Sequence, residues 1–134
     1  MALGVMNLID ADPKLKERPN LESAVGIRAR SLLLKDISSL SLGEMAFCLR
    51  QNIAVASVAP RALAELVGNP FVCAEHYAGD LLASLLHAAN QGQVASEVMR
   101  ELRDICSSAI AAAETIRESV VPDLVAFVDK QDAA

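Results

Sequence analysis

Aromatic residues are scarce in this chain, which has no Trp, one Tyr and three Phe among 134 residues. Alanine is abundant instead, with 23 copies, and 53% of the residues are hydrophobic. Alanine is the best helix former but fills a core poorly, so this composition favours closely packed helices over a sandwich or barrel. A chain of this length can bury one real core. The composition therefore predicts a single all-α domain over residues 1–134.

Long apolar runs and a disulfide pattern are also missing. No stretch approaches the ~18 uninterrupted apolar residues that a membrane span needs. The first nine residues lack a basic flank and lead into Asp10, unlike a secretory signal. The three cysteines, Cys48, Cys73 and Cys106, are far apart and odd in number, which indicates free thiols. We therefore expect a protein of the reducing cytoplasm.

Basic residues do not cluster in the last third of the chain. The formal net charge is −5, and residues 93–134 carry eight acidic and four basic groups. Binding to a phosphate backbone needs clustered Lys and Arg, so the charge argues against nucleic-acid binding. It favours a basic partner instead. A solvated surface without a partner is the alternative explanation.

The spacing of apolar residues predicts a compact bundle of five to six helices. The expected segments are residues 21–35, 42–53, 57–67, 80–90, 94–120 and a short closing helix near 124–128. The clearest start is the capping box of Ser41 and Glu44, in which each side chain bonds the backbone amide of the other residue. In the segment 57–67 the inward positions are Ala62, Leu63, Leu66 and Val67. Residues 1–20 contain two prolines and are expected to form a loosely ordered arm.

The last third predicts a long helix with an apolar stripe. The positions of the stripe keep steps of three and four, with one short internal step, and are Val94, Val98, Leu102, Ile105, Ala109, Ala112, Ala113, Ile116 and Val120. The acidic residues Glu97, Glu101, Asp104, Glu114 and Glu118 lie mainly off that stripe. Because a residue before proline resists helical dihedrals, Val121–Pro122 is expected to interrupt the helix.

The stretch 69–82 lacks a helical period and connects two helices. Helical sequence ends at Gly68, Asn69 and Pro70, because glycine closes helices and proline prevents continuation. It restarts at Gly79 and Asp80, and we expect the Asp80 carboxylate to cap the amides of the next helix. Both residues are thus predicted to be structural.

This stretch resembles the bacterial contact-dependent growth inhibition (CDI) immunity proteins, which are small helical antidotes. The matching positions, within about residues 28–90, are Gln51, Ala62, Leu63, Leu66, Asn69, Pro70, Tyr77, Gly79, Asp80, Leu81 and Leu82. Relatives often carry Pro at the position of Ala78 and a Trp after the Gly-Asp-Leu-Leu helix. The resemblance implies a helical inhibitor that binds and neutralises the C-terminal toxin domain of a CDI effector.

Catalytic or metal-binding patterns are weak. Cys73 and His76 have ligand-like spacing, with His87 or Cys106 as further candidates, but zinc sites normally need paired ligand sets. The pairs Glu97/Glu101 and Glu114/Glu118 lack the His that di-metal bundles place three residues after a Glu. We therefore expect no enzyme activity, no cofactor and no metal.

The preferred function is toxin neutralisation, with the toxin a basic domain of nuclease type. The predicted toxin-binding residues are Glu97, Glu101, Asp104, Glu114, Glu118, His76 and Tyr77, and the predicted structural residues are Gln51, Asn69, Pro70, Gly79 and Asp80. Two alternatives stay open: a helical regulatory or adaptor module for another partner, and a metal-dependent helical enzyme that uses Cys73, His76 and nearby acids.

Overall fold

The computed structural model describes residues 6–13 and 23–134, most of which lie in α-helices. In chain order the helices are α1 (Leu8–Ala11), α2 (Ala24–Leu32), α3 (Leu42–Arg50), α4 (Val55–Gly68), α5 (Asp80–Asn90), α6 (Ser96–Thr115) and α7 (Val121–Asp132). A 3₁₀ turn, Ile37–Ser39, precedes α3, and a π-helical turn, Ile116–Val120, joins α6 to α7. No β-strand occurs within residues 6–13 and 23–134. The all-α prediction is confirmed.

Helix α3 begins at the predicted capping box and is buried over most of its length. The Ser41 hydroxyl accepts from the Glu44 amide at 3.1 Å, and the Glu44 carboxylate accepts from the Ser41 amide at 2.8 Å. Lys35 Nζ donates to Glu44 Oε1 at 2.6 Å. Burial alone would raise the pKa of Glu44, but the hydrogen bonds from Lys35 and Ser41 lower it. The predicted start of this helix is confirmed.

The core lies where α3, α4 and α5 meet. Helix α3 packs against α5 and α4, and α4 also contacts α5 and α6. The fully buried side chains of α4 and α5 include Val58, Leu66, Leu81 and Leu85. The inward prediction is wrong for Val67, which is 68% exposed, because it lies one residue further around α4 than Leu66, beyond the face that packs on the neighbouring helices.

Residues 6–13 pack against the helical body. Leu8 is fully buried, and backbone hydrogen bonds join Ile9 to Leu33 and Met6 to Ile37. Asp12 accepts from the amide of Ala54 at 3.2 Å, at the point where α4 begins. Residues 1–5 and 14–20 of the loosely ordered arm expected over residues 1–20 lie outside the described part, so the expectation for the arm as a whole stays a prediction.

The predicted long C-terminal helix is confirmed, but it continues through the expected closing helix as one helix of 37 residues, 96–132, and only its first half contains buried residues. Its buried residues are Val98, Leu102 and Ala109. Every residue from 110 to 134 is exposed. The apolar stripe of the sequence is therefore uncovered at Ala112, Ala113, Ile116 and Val120. Periodicity shows that a helix has an apolar face, but it does not show that another element covers it.

The expected interruption at Val121–Pro122 is a π-helical turn rather than a break. The Val121 amide donates to the carbonyl of Ile116, five residues earlier. Proline has no amide hydrogen, and its ring collides with the carbonyl four residues before it in an α-helix. A turn widened by one residue moves that carbonyl aside and lets the helix continue past Pro122.

The neighbouring pair Leu66 and Val67 tests this packing. Leu66→Ala should lower the free energy of unfolding by about 3 kcal/mol, since it empties a fully buried position. Val67→Ala should change it by less than about 0.5 kcal/mol, since that side chain is exposed. Urea unfolding of both variants measures the difference. Equal losses would contradict the placement of α4.

Candidate functional site

The connector between α4 and α5 is a folded loop. Asn69 Oδ1 accepts from the amide of Phe71 at 3.0 Å, and an isolated bridge pairs Cys73 with Ala78. Gly79 closes the loop with a positive φ of 92° and donates its amide to Val72 at 3.2 Å. A left-handed backbone of this kind favours glycine. Asn69 and Gly79 are the positions at which the sequence predicts that helical structure ends and restarts. In the structure they form two turns that fold the loop back on itself.

The Asp80 side chain holds this loop in place through hydrogen bonds to its backbone. It is the first residue of α5 and is fully buried. Its Oδ1 accepts from the amide of Ala74 at 2.6 Å, and its Oδ2 accepts from the amides of Glu75 and His76 at 2.9 and 2.8 Å. The expectation that Asp80 caps the amides of α5 is wrong, because its side chain turns back and accepts from the amides of the preceding loop.

The charge of Asp80 is stabilised by the loop. Burial alone would raise the pKa of this carboxyl, but hydrogen bonds from the backbone of residues 74–77 hold the pKa well below its ordinary value. Asp80 is therefore ionised at neutral pH. A carboxylate that accepts several amides acts as the fixed centre of its loop.

A second set of hydrogen bonds ties α5 to α3. The Ser84 hydroxyl, which is buried, donates to the Asp80 carbonyl at 2.7 Å. The same hydroxyl accepts from Nε of Arg50 at 2.9 Å. The loop, α5 and the end of α3 are consequently joined through neighbouring polar contacts on Asp80 and Ser84.

A cleft of about 230 Å³ lies beside the connector. It is lined by Ala24, Val25, Arg28, Ala46, Phe47, Arg50, Gln51, Glu75 and His76. The Arg28 guanidinium lies 4.6 Å from the centre of the Phe47 ring and bonds Glu75 Oε2 at 3.1 Å. His76 Nε2 lies 3.7 Å from the same oxygen of Glu75. The guanidinium of Arg28 is thus already engaged by a ring and a carboxylate.

A shallower groove, also of about 230 Å³, lies between the end of α4 and α6. It is lined by Leu66, Val67, Pro70, Asp104, Ile105 and Ser108. Its walls are mainly apolar, and Asp104 places one carboxylate at its edge. Pro70 brings the start of the connector to this groove, which we call the α4–α6 groove.

Comparison with known families identifies the chain. A family model described as CDI immunity proteins matches residues 11–105. The chain belongs to the CDI immunity protein family. The resemblance drawn from the connector is confirmed. The curated proteins and the solved structures yielded no match.

The immunity-family match includes the connector, Asp80 and nearly all of the α4–α6 groove. It stops within α6, so residues 106–134 lie outside it. The match therefore covers most of the packed bundle, and the exposed half of the long helix lies outside it.

The predicted binding residues of this immunity protein fall in separate places. The acidic residues Glu97, Glu101, Asp104, Glu114 and Glu118 are all exposed along the long helix. His76 and Gln51 share the cleft beside the connector, and Asp104 and Pro70 share the α4–α6 groove. The two depressions have no lining residue in common. Tyr77 is 53% exposed on the connector.

Sequence patterns missed the residues that shape these depressions. Arg50 and Ser84 are 34 positions apart, and Arg28 and Glu75 are 47 apart, so no local spacing relates them. Gly43 also had no visible role, yet a Cβ there would lie 3.4 Å from Glu75 Cβ. The connector therefore lies within van der Waals contact distance of this position of α3.

The remaining reactive groups are the three cysteines and the residue types that could bind a metal. All three cysteines carry free thiols, and burial, with a smaller contribution from Glu44, raises the pKa of Cys48 to about 12. Within the described ranges 6–13 and 23–134, no three His, Cys, Asp or Glu side chains are grouped to hold a metal ion. In that same part of the chain, no helix has the length and apolarity to cross a membrane.

Asp80 gives this site a predicted pH dependence. Because its pKa is depressed in the folded protein, its contribution to stability is complete above about pH 4 and is lost as the pH falls toward the folded value. Asp80→Asn should cost about 3 kcal/mol at pH 7, since the amide nitrogen of Asn would face backbone donors. It should also flatten the decline in stability below pH 4.

Urea unfolding at pH 7 and pH 3 measures both effects, with Asp104→Asn as the matched exposed control. The control should lose little stability at either pH. A wild-type protein as sensitive to acid as the Asp80→Asn variant would show that this carboxylate does not hold the loop.

Proposed function

We propose that this immunity protein binds the C-terminal toxin domain of a CDI effector and neutralises it without catalysis of its own. Membership of the CDI immunity protein family supports this function. We further propose that the toxin is a basic nuclease and that the two proteins meet in the cytoplasm. Nucleases bind polyanions and tend to be basic, so an acidic inhibitor attracts them over long distances.

The acidic surface of α6 is the proposed region of contact. Glu97, Glu101 and Asp104 follow each other in steps of four and three, so they lie along one face of the helix. All three are exposed, and within residues 6–13 and 23–134 none of them forms an ion pair. Glu114 and Glu118 continue the negative charge along the exposed half of the helix.

The α4–α6 groove is the structural feature that best supports a toxin contact at this region. Asp104 belongs both to the acidic row and to the groove, so charge and apolar surface meet at one residue. Val67, Pro70 and Ile105 supply the apolar contact, and Val67 is 68% exposed and so accessible to a partner. Stable protein interfaces combine an apolar centre with a polar rim in this way. Tyr77 and His76, on the same connector as Pro70, would border the contact.

Charge reversal tests whether the acidic residues of the long helix contribute to toxin binding. The triple variant Glu97→Lys, Glu101→Lys, Glu114→Lys should lower the association rate with the toxin domain by about tenfold or more at low salt. It should also weaken the salt dependence of that rate, because fewer opposite charges attract each other. Stopped-flow mixing with the C-terminal toxin domain of a candidate CDI effector measures both quantities.

A control variant with unchanged net charge shows whether the positions of the acidic residues matter, and not only the total charge of the protein. Glu101→Lys with Arg103→Glu keeps the net charge but removes one acid from the row. This variant should bind as weakly as Glu101→Lys alone. Wild-type association by the swapped protein would show that only net charge matters, and wild-type binding by the triple variant would place the contact elsewhere.

A further inference from the structure

The cleft beside the connector carries an excess of positive charge, although the formal net charge of the whole chain is −5. Its lining includes two arginines, Arg28 and Arg50, and one carboxylate, that of Glu75. With His76 neutral, these side chains leave one positive charge in excess, and protonation of His76 would add a second. A locally positive cleft on an acidic protein attracts a negatively charged group.

The two arginines differ in how much of their hydrogen-bonding capacity is already used. The Arg28 guanidinium bonds Glu75 Oε2 at 3.1 Å and lies over the Phe47 ring, so its charge is paired. Arg50 donates through Nε to the Ser84 hydroxyl at 2.9 Å. In the described part of the chain, no group accepts a hydrogen bond from Nη1 or Nη2 of Arg50. Arg50 therefore supplies the unpaired positive charge of the cleft.

The guanidinium of Arg50 is held in place by its neighbours. Its partner Ser84 is buried and donates to the Asp80 carbonyl at 2.7 Å, so the contact belongs to the network that joins α3 to α5. A guanidinium fixed at Nε keeps two terminal nitrogens in one plane, and this fork matches the two oxygens of a carboxylate. Gln51, the next residue, also lines the cleft and brings an amide donor to it.

Size and charge together indicate the class of ligand. The volume of about 230 Å³ is below the ~300–1,000 Å³ of sites that enclose small molecules. The rim is open, since the side chains of Glu75 and His76 are 38% and 57% exposed. An open cleft of this volume suits one side chain of a protein partner better than a free molecule. One excess positive charge matches a carboxylate better than a phosphate, which carries about −1.5 to −2 at neutral pH.

We propose that the cleft binds an Asp or Glu side chain of the toxin domain, whose carboxylate bonds Arg50 and Gln51. Ala24, Val25 and Phe47 supply apolar surface for the aliphatic part of that side chain. This contact rests on the proposed function, because it is a second point at which the toxin is held. A toxin without an acidic residue at this place leaves the Arg50 charge unpaired and binds less tightly. The cleft thus contributes to the choice of toxin.

Replacement of Arg50 tests the contact in a way that net charge cannot imitate. Arg50→Gln makes the inhibitor more acidic, so long-range attraction alone predicts equal or faster association with a basic toxin. Loss of the carboxylate contact should instead raise the dissociation constant by about 30-fold or more, mainly through faster dissociation. Arg117→Gln changes the charge equally on the exposed half of the long helix and should bind as the wild type does. Surface plasmon resonance measures both rates.

A double-mutant cycle identifies the partner residue and controls for a general loss of packing in Arg50→Gln. Each Asp and Glu of the toxin domain is replaced in turn by Asn or Gln. One such replacement should weaken binding to the wild type as much as Arg50→Gln does, yet weaken binding to Arg50→Gln by less than about threefold. If every toxin replacement has the same effect on both proteins, no toxin carboxylate meets Arg50 and the proposal is wrong.

A free carboxylate tests the cleft without the toxin. N-acetylglutamate N-methylamide carries one carboxylate, and its glutamine analogue is the neutral control of the same shape. At millimolar concentration the glutamate compound should shift the side-chain amide signals of Gln51 in NMR spectra, and the glutamine compound should not. The Gln51 shift should disappear in Arg50→Gln.

The two experiments separate failure of the cleft from failure of the proposed function. Absence of a Gln51 shift with the glutamate compound would overturn the carboxylate site, whatever the toxin does. A shift combined with wild-type toxin affinity of Arg50→Gln would overturn the toxin contact and leave a site for free carboxylates. A wild type that shows the shift but binds no toxin domain would contradict the proposed function, and the toxin contact with it.

Discussion

The ionised carboxylate of Asp80 is the contact on which the surface of this protein depends. It lies without solvent access at the start of α5 and accepts hydrogen bonds from three consecutive loop residues. A buried charge costs free energy unless it is paired with donors, and the loop supplies them. The folded loop in turn places Pro70 in the α4–α6 groove and His76 in the cleft. Loss of that one charge would therefore alter both depressions together.

The sequence was most informative where the interacting residues lie only a few positions apart in the chain. The Ser41–Glu44 capping box and the ends of α5 depend on residues a few positions apart, and both agree with the structure. Tertiary partners set the remaining features. Val67 and Val120 fit an apolar stripe, yet both are exposed, because periodicity describes one helix and not its neighbours. Asp80 looked like a cap, but its partners precede it in the chain.

The long helix combines two different surfaces. Its first half packs through Val98 and Leu102 and presents acids to solvent. Its second half has no buried residue and presents an apolar face, and the π turn before Pro122 keeps the two halves continuous. Acidic residues continue along the second half, where Glu114, Glu118 and Asp123 accompany the apolar side chains, so only burial separates the two halves.

Methyl NMR of the immunity protein titrated with a toxin domain shows whether the toxin contacts the α4–α6 groove. We expect large shift changes at the methyl groups of Val67 and Ile105, which line this groove, and small changes at Val125 and Val128. Changes confined to methyl groups outside the groove, with Val67 and Ile105 unaffected at saturation, would contradict this contact.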